Sequence, residues 1–354
     1  MNRRVFVPHS RPFLGEEEAE VAAGVIRSGH IAQGEHVAAL EALFALRYGR
    51  AGALAVNSGT AALHLVMAAM GIGNGDEVII PDYVCSALLN AIRHAGARPV
   101  PADIDPHTLT IDTADAAARV TKRTRAIVAV HLFGMPADMD GLMGLGIPVI
   151  EDCAQSVGGS YHGRPLGGIG HASAFSFYAT KVITSGEGGM ALFSSRDESA
   201  RARDMRDYDN RDDDAVRYNY KMTDIQAAIA RIQFRRIDDF IARREKIARR
   251  YSAEFSDIDV ELPMDVPGRI WFRYVIRLKN ESYVESWIQK TGRYGVVCAR
   301  PVFKPLHRLM GLSGFEKSED AWNRLVSVPI YPAMKESEIG QVIDAVKMTA
   351  KELL

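Results

Sequence analysis

The residues best suited to chemistry lie within one stretch, residues 149–192. An apolar strand pattern there ends at Glu151 and Asp152, a glycine-rich loop follows, and a second apolar run carries Ser176 before a lone amine, Lys181. A carboxylate, a hydroxyl and an amine are the groups that a pyridoxal phosphate site requires. The lysine would bond covalently to the cofactor aldehyde, the aspartate would keep the ring nitrogen protonated, and the small residues would let the chain approach the phosphate.

An earlier segment has the pattern of a phosphate-binding turn. A strand-like run leads into Asn57-Ser58-Gly59-Thr60-Ala61 and then into a predicted helix. Unpaired N–H groups and the dipole at a helix N-terminus both favour an anion. Ser and Thr are also preferred as ordinary helix caps, so the turn alone would leave both interpretations open. Together with Lys181 it predicts phosphate contacts at Gly59, Thr60 and Ala61.

Three short motifs around the lysine occur in a fixed order. Residues 151–155 are Glu-Asp-Cys-Ala-Gln, residues 175–181 are Phe-Ser-Phe-Tyr-Ala-Thr-Lys, and residues 186–189 are Gly-Glu-Gly-Gly. They resemble the E-D-x-A-Q, F-S-F-x-x-x-K and G-E-G-G motifs of the DegT/DnrJ/EryC1/StrS family of sugar aminotransferases, and the similarity extends from about Pro12 to about Pro332. The resemblance implies a pyridoxal-phosphate-dependent aminotransferase of fold type I. Such an α/β protein has a large domain with a mostly parallel seven-stranded sheet and a smaller C-terminal α+β domain.

The resemblance also implies how the cofactor is held. Gln155 would hydrogen-bond the ring oxygen, and Ser176 would join the 57–61 turn at the phosphate. Asn219 lies in a sequence similar to the family's N-x-R/K-M-x-x-x-Q-A-A motif, where the asparagine reaches the cofactor phosphate of the neighbouring subunit in a homodimer. The alternative for Asn219 is a turn residue at the entry to a helix.

Other positions are candidates for contacts with the ring or the substrate. Cys85 stands where the family usually has an aromatic residue stacked on the ring, so either the thiol or Tyr83 would provide that contact. Tyr178, Glu187 and His307 are candidate substrate contacts, although a structural role is as good an interpretation for His307. Loop 28–34 is predicted to end a helix, and by resemblance it could also lie near the substrate.

The activity implied by the resemblance is a transamination. L-Glutamate would donate the amino group, leaving 2-oxoglutarate, and a nucleotide-linked keto-sugar would accept it. Lys181 argues against a related branch that removes a sugar hydroxyl and carries histidine at this position. Two alternatives stay open: a pyridoxal phosphate aminotransferase for a non-sugar ketone or a cyclitol, and a regulatory DNA-binding protein that uses basic residues 231–251.

Composition limits the other function classes. The 354 residues carry 43 basic and 44 acidic side chains, so no overall charge favours nucleic acid or an anionic membrane. Three scattered cysteines fit a reducing compartment and form neither a disulfide framework nor a zinc pattern. The N-terminal residues lack the apolar run of a signal peptide, and no segment has the roughly 20 apolar residues of a membrane span. We therefore expect a cytoplasmic protein.

Strand and helix patterns alternate across residues 50–200, which predicts a mostly parallel sheet with ligands beyond the carboxyl ends of its strands. The predicted domains are 1–240, with the N-terminal arm included, and 241–354. The elements expected near and after this sheet are a strand at 126–133, a surface loop at 200–218, one long amphipathic helix at 231–251, strands at 269–278 and 296–300, and a C-terminal helix from about Glu336.

Two groups of residues leave a choice between a ligand and a structural role. Asp103, Asp105 and His107 alternate and could share a side as metal ligands, but the intervening proline favours a turn after a strand. We predict no metal site there or elsewhere. His131, near the end of a predicted strand, could equally be a core contact or a residue that supports the site.

Overall fold

A seven-stranded sheet forms the centre of the large domain in the computed structural model, which describes residues 6–353. The strands of this domain are β1 (Gly52–Val56), β2 (Glu77–Pro81), β3 (Arg98–Ala102), β4 (Thr124–Val130), β5 (Val149–Asp152), β6 (Ser160–Tyr161), β7 (Arg164–Pro165), β8 (Ala172–Ser176) and β9 (Gly189–Phe193). All except the β6–β7 hairpin belong to the sheet, in the order β1-β9-β8-β5-β4-β2-β3. Only β9 runs against its neighbours, so the predicted mostly parallel seven-stranded sheet is confirmed.

Helices cover both faces of the sheet. They are α1 (Glu16–Ser28), α2 (Glu35–Tyr48), α3 (Gly59–Ala69), α4 (Ser86–His94), α5 (Thr113–Ala118), α6 (Met139–Met143), α7 (Arg196–Met205) and α8 (Asp224–Arg235). Because both faces are covered, the strands can be apolar throughout. In β2, Val78 and Ile80 enter one hydrophobic cluster while Ile79 enters another on the opposite face.

A smaller domain follows the long helix α9 (Ile237–Glu254). Its three-stranded antiparallel sheet has the order β10-β11-β12, and its elements are β10 (Val260–Glu261), β11 (Tyr274–Leu278), α10 (Val284–Arg293), α11 (Leu306–Met310), α12 (Glu316–Arg324), β12 (Leu325–Val328) and α13 (Glu336–Leu353). Trp287, Tyr251 and Tyr331 are fully buried in its core. Helix α9 begins in the large-domain core at Ile237 and ends in this one, so it crosses the boundary predicted at residue 240.

The N-terminal arm packs differently from the prediction. Residues 1–5 lie outside the described residues, but Val7 is fully buried in the small-domain core and forms a parallel bridge with Val296. Arg11 donates to the Ala333 carbonyl at 3.0 Å. The arm therefore contacts the small domain before the chain enters α1 of the large one.

Four predicted elements have other bounds. The 200–218 segment begins inside α7, and the basic segment 231–251 is divided between α8 and α9, which meet at Arg236. The 269–278 strand starts only at Tyr274, and β4 ends at Val130, ahead of a single 3-10 turn at Leu132–Gly134 in which Phe133 has a left-handed φ of 57°. Residues 296–300 form isolated bridges rather than a strand. The helix expected from Glu336 is α13.

The structure resolves the choice at Asp103, Asp105 and His107 in favour of a turn. Asp105 Oδ1 accepts the His107 N–H at 2.9 Å, as in an aspartate-initiated turn. Asp103 accepts the Ser318 hydroxyl at 2.6 Å and thereby ties this turn to α12. These carboxylates stabilise a loop and a domain contact.

The basic residues of α9 have structural partners. Arg243 and Arg250 both bind Glu336 on α13, at 3.0 and 2.8 Å, and Arg244 is buried. This arrangement fits a helix packed between domains better than one that presents a basic face to nucleic acid. Within the described part of the chain, no helix combines the length and hydrophobicity needed to cross a membrane.

Candidate active site

The predicted site residues come together at the carboxyl edge of the large sheet. Asp152 is the last residue of β5, Ser176 is the last residue of β8, and the turn before α3 follows β1. A cavity of about 220 Å³ opens at this edge. The residues that line it are Ser58, Gly59, Thr60, Leu63, Cys85, Ala87, Asp152, Ala154, Ala174, Phe175, Ser176, Tyr178, Lys181 and Glu187. Of the predicted site residues, Ala61, Gln155, Asn219 and His307 are outside this lining.

One end of the cavity is narrow because glycine and serine face each other. A Cβ added to Gly59 would lie 2.7 Å from Ser176 Cβ, closer than real Cβ atoms approach. The Ser58 hydroxyl caps α3 by accepting the Ala61 N–H at 3.1 Å, so that predicted phosphate donor is already used. The N-terminus of α3 and the Ser176 hydroxyl remain as the phosphate-binding groups of this end.

Asp152 presents a carboxylate to the same cavity. Its Oδ1 accepts the Ala154 N–H at 3.0 Å, which fixes the side chain and leaves Oδ2 for a ligand. Burial raises the pKa of this carboxyl group, while the Ala154 N–H and the nearby Lys181 oppose the rise. A cationic partner such as a protonated ring nitrogen would favour the ionised form.

Lys181 lies in the same cavity on an apolar support. Its amine is 5.5 Å from the centroid of the Phe272 ring. Burial lowers the pKa of the amine, Cys85 and Asp152 oppose this effect, and Arg273 adds to it. A lowered pKa increases the neutral fraction of the amine, and only the neutral amine can act as a nucleophile or accept a proton.

A buried carboxylate beneath the cavity organises the strands that carry the site. Glu151, next to Asp152, accepts the N–H groups of Gly167, Ile169 and Gly170, each at 2.7 Å. His131 lies 3.2 Å from the same carboxylate through Nε2 and accepts the Ala137 N–H at Nδ1. His131 therefore supports the site from below.

His131, Glu151 and Cys153 are also close enough together to be considered as metal ligands. The two ring nitrogens of His131 and both oxygens of Glu151 already have hydrogen-bond partners within the protein. Burial raises the pKa of the Cys153 thiol well above its usual value, which favours the neutral form over a metal-binding thiolate. The cluster is structural.

Gln155 lies just outside the cavity lining in a defined orientation. Its Oε1 accepts the Phe133 N–H at 2.8 Å. The side-chain nitrogen is therefore the group left to donate, as the predicted bond to a ring oxygen would require.

The two candidates for ring contact are in different places. Cys85 is exposed in the cavity lining, immediately before α4. Tyr83 is fully buried in the hydrophobic core of the large domain. The suggestion that Tyr83 contributes to ring contact is therefore wrong, because its side chain turns away from the cavity to fill the core.

Asn219 is exposed and away from the cavity of its own chain. Its backbone is fixed: the Asn219 carbonyl accepts from the Asn57 side chain at 3.0 Å, and Asn57 N–H donates to the Tyr220 carbonyl at 2.9 Å. The side chain is thus held at the surface by the same turn that precedes α3.

His307 lies at a contact between the domains. Its Nδ1 is 2.6 Å from Asp82 Oδ2, at the end of β2, and its Nε2 is 3.0 Å from Glu319 of α12. The ring stacks on Phe315. With both nitrogens engaged by carboxylates, His307 has the environment of a structural residue, as the alternative interpretation had it. Tyr178 and Glu187, in contrast, lie in the cavity lining.

Loop 28–34 lines a separate cavity of about 730 Å³ with α1 and the start of α2. Asp224 anchors it by accepting the Gly34 N–H at 2.8 Å and the Val37 N–H at 2.9 Å. The loop ends α1, as predicted, and its residues are exposed.

Comparison with known proteins identifies the group to which this site belongs. The sequence profile of the DegT/DnrJ/EryC1/StrS aminotransferase family matches residues 12–347. The chain belongs to this family. The motif-based resemblance is confirmed, and the protein is a pyridoxal-phosphate-dependent aminotransferase.

Relatives and solved structures match this family member over nearly all of its length. The spore coat polysaccharide biosynthesis protein SpsC of Bacillus subtilis is 35% identical over 383 residues, with 99% of this chain and 98% of that protein covered. GDP-perosamine synthase of Caulobacter vibrioides is 35% identical, with 88% and 89% covered. Spr1654 of Streptococcus pneumoniae, solved in its PMP form, superimposes with a TM-score of 0.92 at 25% identity, with 98% of each chain covered.

The residues present fit pyridoxal phosphate. The cavity has a glycine where a Cβ would collide with Ser176, a carboxylate with one free oxygen at Asp152, and a buried amine at Lys181. A phosphate, a ring nitrogen and an aldehyde are the groups that these three features would accommodate.

Phe272 and Arg273, which lie beside Lys181, are not among the residues predicted from the sequence. They belong to a Trp-Phe-Arg-Tyr run whose alternation resembles a strand, so their types gave no signal of a site. Only a pattern break, two aromatic residues next to an arginine that has no acidic neighbour in sequence, could have drawn attention to them.

We expect Gly59→Ala to weaken pyridoxal phosphate binding about tenfold or more, because the added methyl group forces the turn away from Ser176. The affinity is measured by titrating the apoprotein with cofactor and following its absorbance. Gly24→Ala is the matched control, since no atom lies within 4 Å of the Cβ it would add on α1. An unchanged affinity in Gly59→Ala would contradict the proposed phosphate contact.

Proposed function

We propose that this aminotransferase moves the amino group of L-glutamate to the keto group of a nucleotide-linked sugar, and that Lys181 and Asp152 carry the reaction. The observation that carries the proposal is the shared cavity, which is lined by an amine of lowered pKa, by a carboxylate with a free oxygen and by the turn at the N-terminus of α3. The name of the Caulobacter relative supports a nucleotide-linked sugar as acceptor, and that of SpsC supports a role in polysaccharide synthesis.

Asp152 and Lys181 have complementary tasks in this proposal. Bound pyridoxal phosphate supplies a ring that withdraws electrons from the reacting carbon. The Asp152 carboxylate holds the proton on the ring nitrogen, because an anion beside that nitrogen favours its protonated form. Lys181 Nζ would move a proton between the α-carbon of the donor and the aldehyde-derived carbon of the cofactor, two atoms away, for which the amine must be neutral.

The other residues position the reactants. The α3 N-terminus, with Gly59 and Thr60, and the Ser176 hydroxyl bind the phosphate. The Gln155 amide, oriented by Phe133, donates to the ring oxygen. Tyr178 and Glu187, exposed on the cavity wall, contact the sugar.

A homodimer completes the site in this proposal. Asn219 is exposed and has a backbone fixed by Asn57, which suits a side chain that reaches the phosphate of a second subunit. The cavity in its own chain lacks this residue. Each subunit would therefore supply one phosphate ligand to its partner.

Asp152→Asn should reduce turnover by at least about 100-fold, because the neutral amide no longer stabilises a protonated ring nitrogen. The far-UV circular dichroism should stay the same, and borohydride should still fix the cofactor on Lys181. Steady-state rates and mass spectrometry of the reduced peptide measure these effects. Near-normal turnover would contradict the role of Asp152, and a wild-type protein without a Lys181 adduct would contradict the site as a whole.

The acceptor class can be tested with a panel of ketones. We expect 2-oxoglutarate to form when L-glutamate is supplied with a nucleotide-linked keto-sugar, with the rate differing among GDP, dTDP and UDP sugars. Free keto-sugars and keto-cyclitols serve as matched acceptors without the nucleotide. Faster turnover of a cyclitol than of every nucleotide-linked sugar would replace the proposed acceptor with the alternative class.

The role of Asn219 can be tested with mixed dimers. Asn219→Ala alone should weaken cofactor affinity about tenfold, the effect of losing one charge-assisted hydrogen bond. In a dimer of one Lys181→Ala chain and one Asn219→Ala chain, both defects fall in the same site if Asn219 acts across the interface. The other site then binds cofactor with wild-type affinity. Weak binding at that remaining site would show instead that Asn219 acts within its own chain.

A further inference from the structure

Three basic side chains, those of Lys181, Arg273 and Arg244, surround the ring of Phe272. The centroid of Phe272 lies 5.5 Å from Lys181 Nζ, 5.1 Å from Arg273 Cζ and 6.0 Å from Arg244 Cζ. The ring face attracts cations and holds them near one another. A positively charged cluster, formed by Arg273 and Arg244, therefore adjoins the reacting amine.

No acid neutralises this cluster within residues 6–353. Neither Arg273 nor Arg244 has a carboxylate within 4.0 Å, and burial alone lowers the pKa of Arg273 to about 10. Arginines nearby are different: Arg277 pairs with Asp320, and Arg243 pairs with Glu336. The two guanidinium groups that face Phe272 thus lack a paired carboxylate among the described residues.

His9 orients Arg273 without neutralising it. Arg273 Nη1 donates to His9 Nδ1 at 2.7 Å, and His9 Nε2 lies 2.9 Å from the Ser327 hydroxyl. Burial, with Arg273 beside it, lowers the pKa of His9 to about 3, so the imidazole is neutral and can accept. The other N–H groups of the Arg273 guanidinium remain able to bind an anion.

Arg244 makes the segment that carries Arg273 rigid. Its Nη1 donates to the carbonyls of Trp271 and Phe272, both at 3.2 Å, and to that of Ile330 at 3.0 Å. These carbonyls accept from Nη1 and carry no net charge, and the buried Nε of Arg244 has no hydrogen-bond partner among the described residues. A buried cation without an anion is unfavourable, so an incoming carboxylate would gain from both arginines.

We propose that Arg273 is a specificity residue that binds a carboxylate of the amino donor. The inference rests on the proposed function, since it assumes an amino acid donor. Two observations favour this ligand: Arg273 shares the Phe272 ring with the amine that must reach the donor α-carbon, and its planar guanidinium matches a carboxylate. A nucleotide diphosphate is the other anion in the reaction, and the experiment separates the two.

The first test measures binding without turnover. Glutarate, a dicarboxylate with no amine, is titrated calorimetrically into the cofactor-loaded protein. Arg273→Gln should weaken glutarate binding about 10- to 100-fold, the worth of a charged hydrogen bond, and Arg273→Lys should restore part of it. Arg243→Gln, an arginine on α9 that already has Glu336, should leave the affinity unchanged. Equal affinities in wild type and Arg273→Gln would overturn the proposal.

The second test separates the two half-reactions. In Arg273→Gln, conversion of bound cofactor by L-glutamate should need a 10- to 100-fold higher glutamate concentration, whereas the KM for the nucleotide-linked sugar with the aminated enzyme should stay the same. A raised KM for the sugar alone would assign Arg273 to the diphosphate and overturn the proposal. If glutamate does not aminate the cofactor of the wild-type protein, the proposed function is contradicted. That outcome is distinct from failure of the Arg273 proposal, because it is seen without any Arg273 variant.

Discussion

The site geometry depends on the hydrogen bonds that the buried carboxylate of Glu151 accepts from loop 167–170. Burial alone would raise the pKa of this group, but bonds from His131 and from the N–H groups of Gly167 and Gly170 prevail and hold the pKa below its usual value. Arg50 lies 3.3 Å away and is almost fully buried as well. A charge so enclosed is tolerable only when each oxygen is satisfied, so the 167–170 loop is fixed in place. Because Asp152 is the next residue of β5, its backbone is held in place as well.

Two contacts between the domains differ in whether their charged groups have partners of opposite charge. His307 lies between the carboxylates of Asp82 and Glu319 across the contact and is within hydrogen-bond distance of both. Arg273 and Arg244 form a junction of one sign, supported only by an aromatic ring, an imidazole and carbonyl groups. The satisfied junction stabilises the arrangement of the domains. The junction of Arg273 and Arg244 lies beside Lys181, the residue proposed to carry the reaction.

The features that could be predicted from the sequence are those formed by residues close together in the chain. Lys181 and Asp152 stand in motifs with fixed spacing, and apolar runs with crossover helices are enough to predict a parallel sheet. The predicted contact between Tyr83 and the cofactor ring is wrong, because the sequence does not show to which side a residue after a strand turns. The Tyr83 side chain packs in the hydrophobic core. Phe272 and Arg273 approach Lys181 from residues far along the chain. Such a contact depends on how two domains dock, which no local pattern encodes.

The path of the N-terminal arm limits how the two domains can move. Val7 is inserted in the small domain, whereas α1 is bound to α8 of the large one through Glu18, which accepts from the Gln233 side chain and from Arg236. The polypeptide therefore crosses between the lobes twice, at the arm and at α9. Any rotation of one lobe against the other has to accommodate both crossings. His9 sits on the first crossing, so any such rotation would displace the guanidinium it steadies.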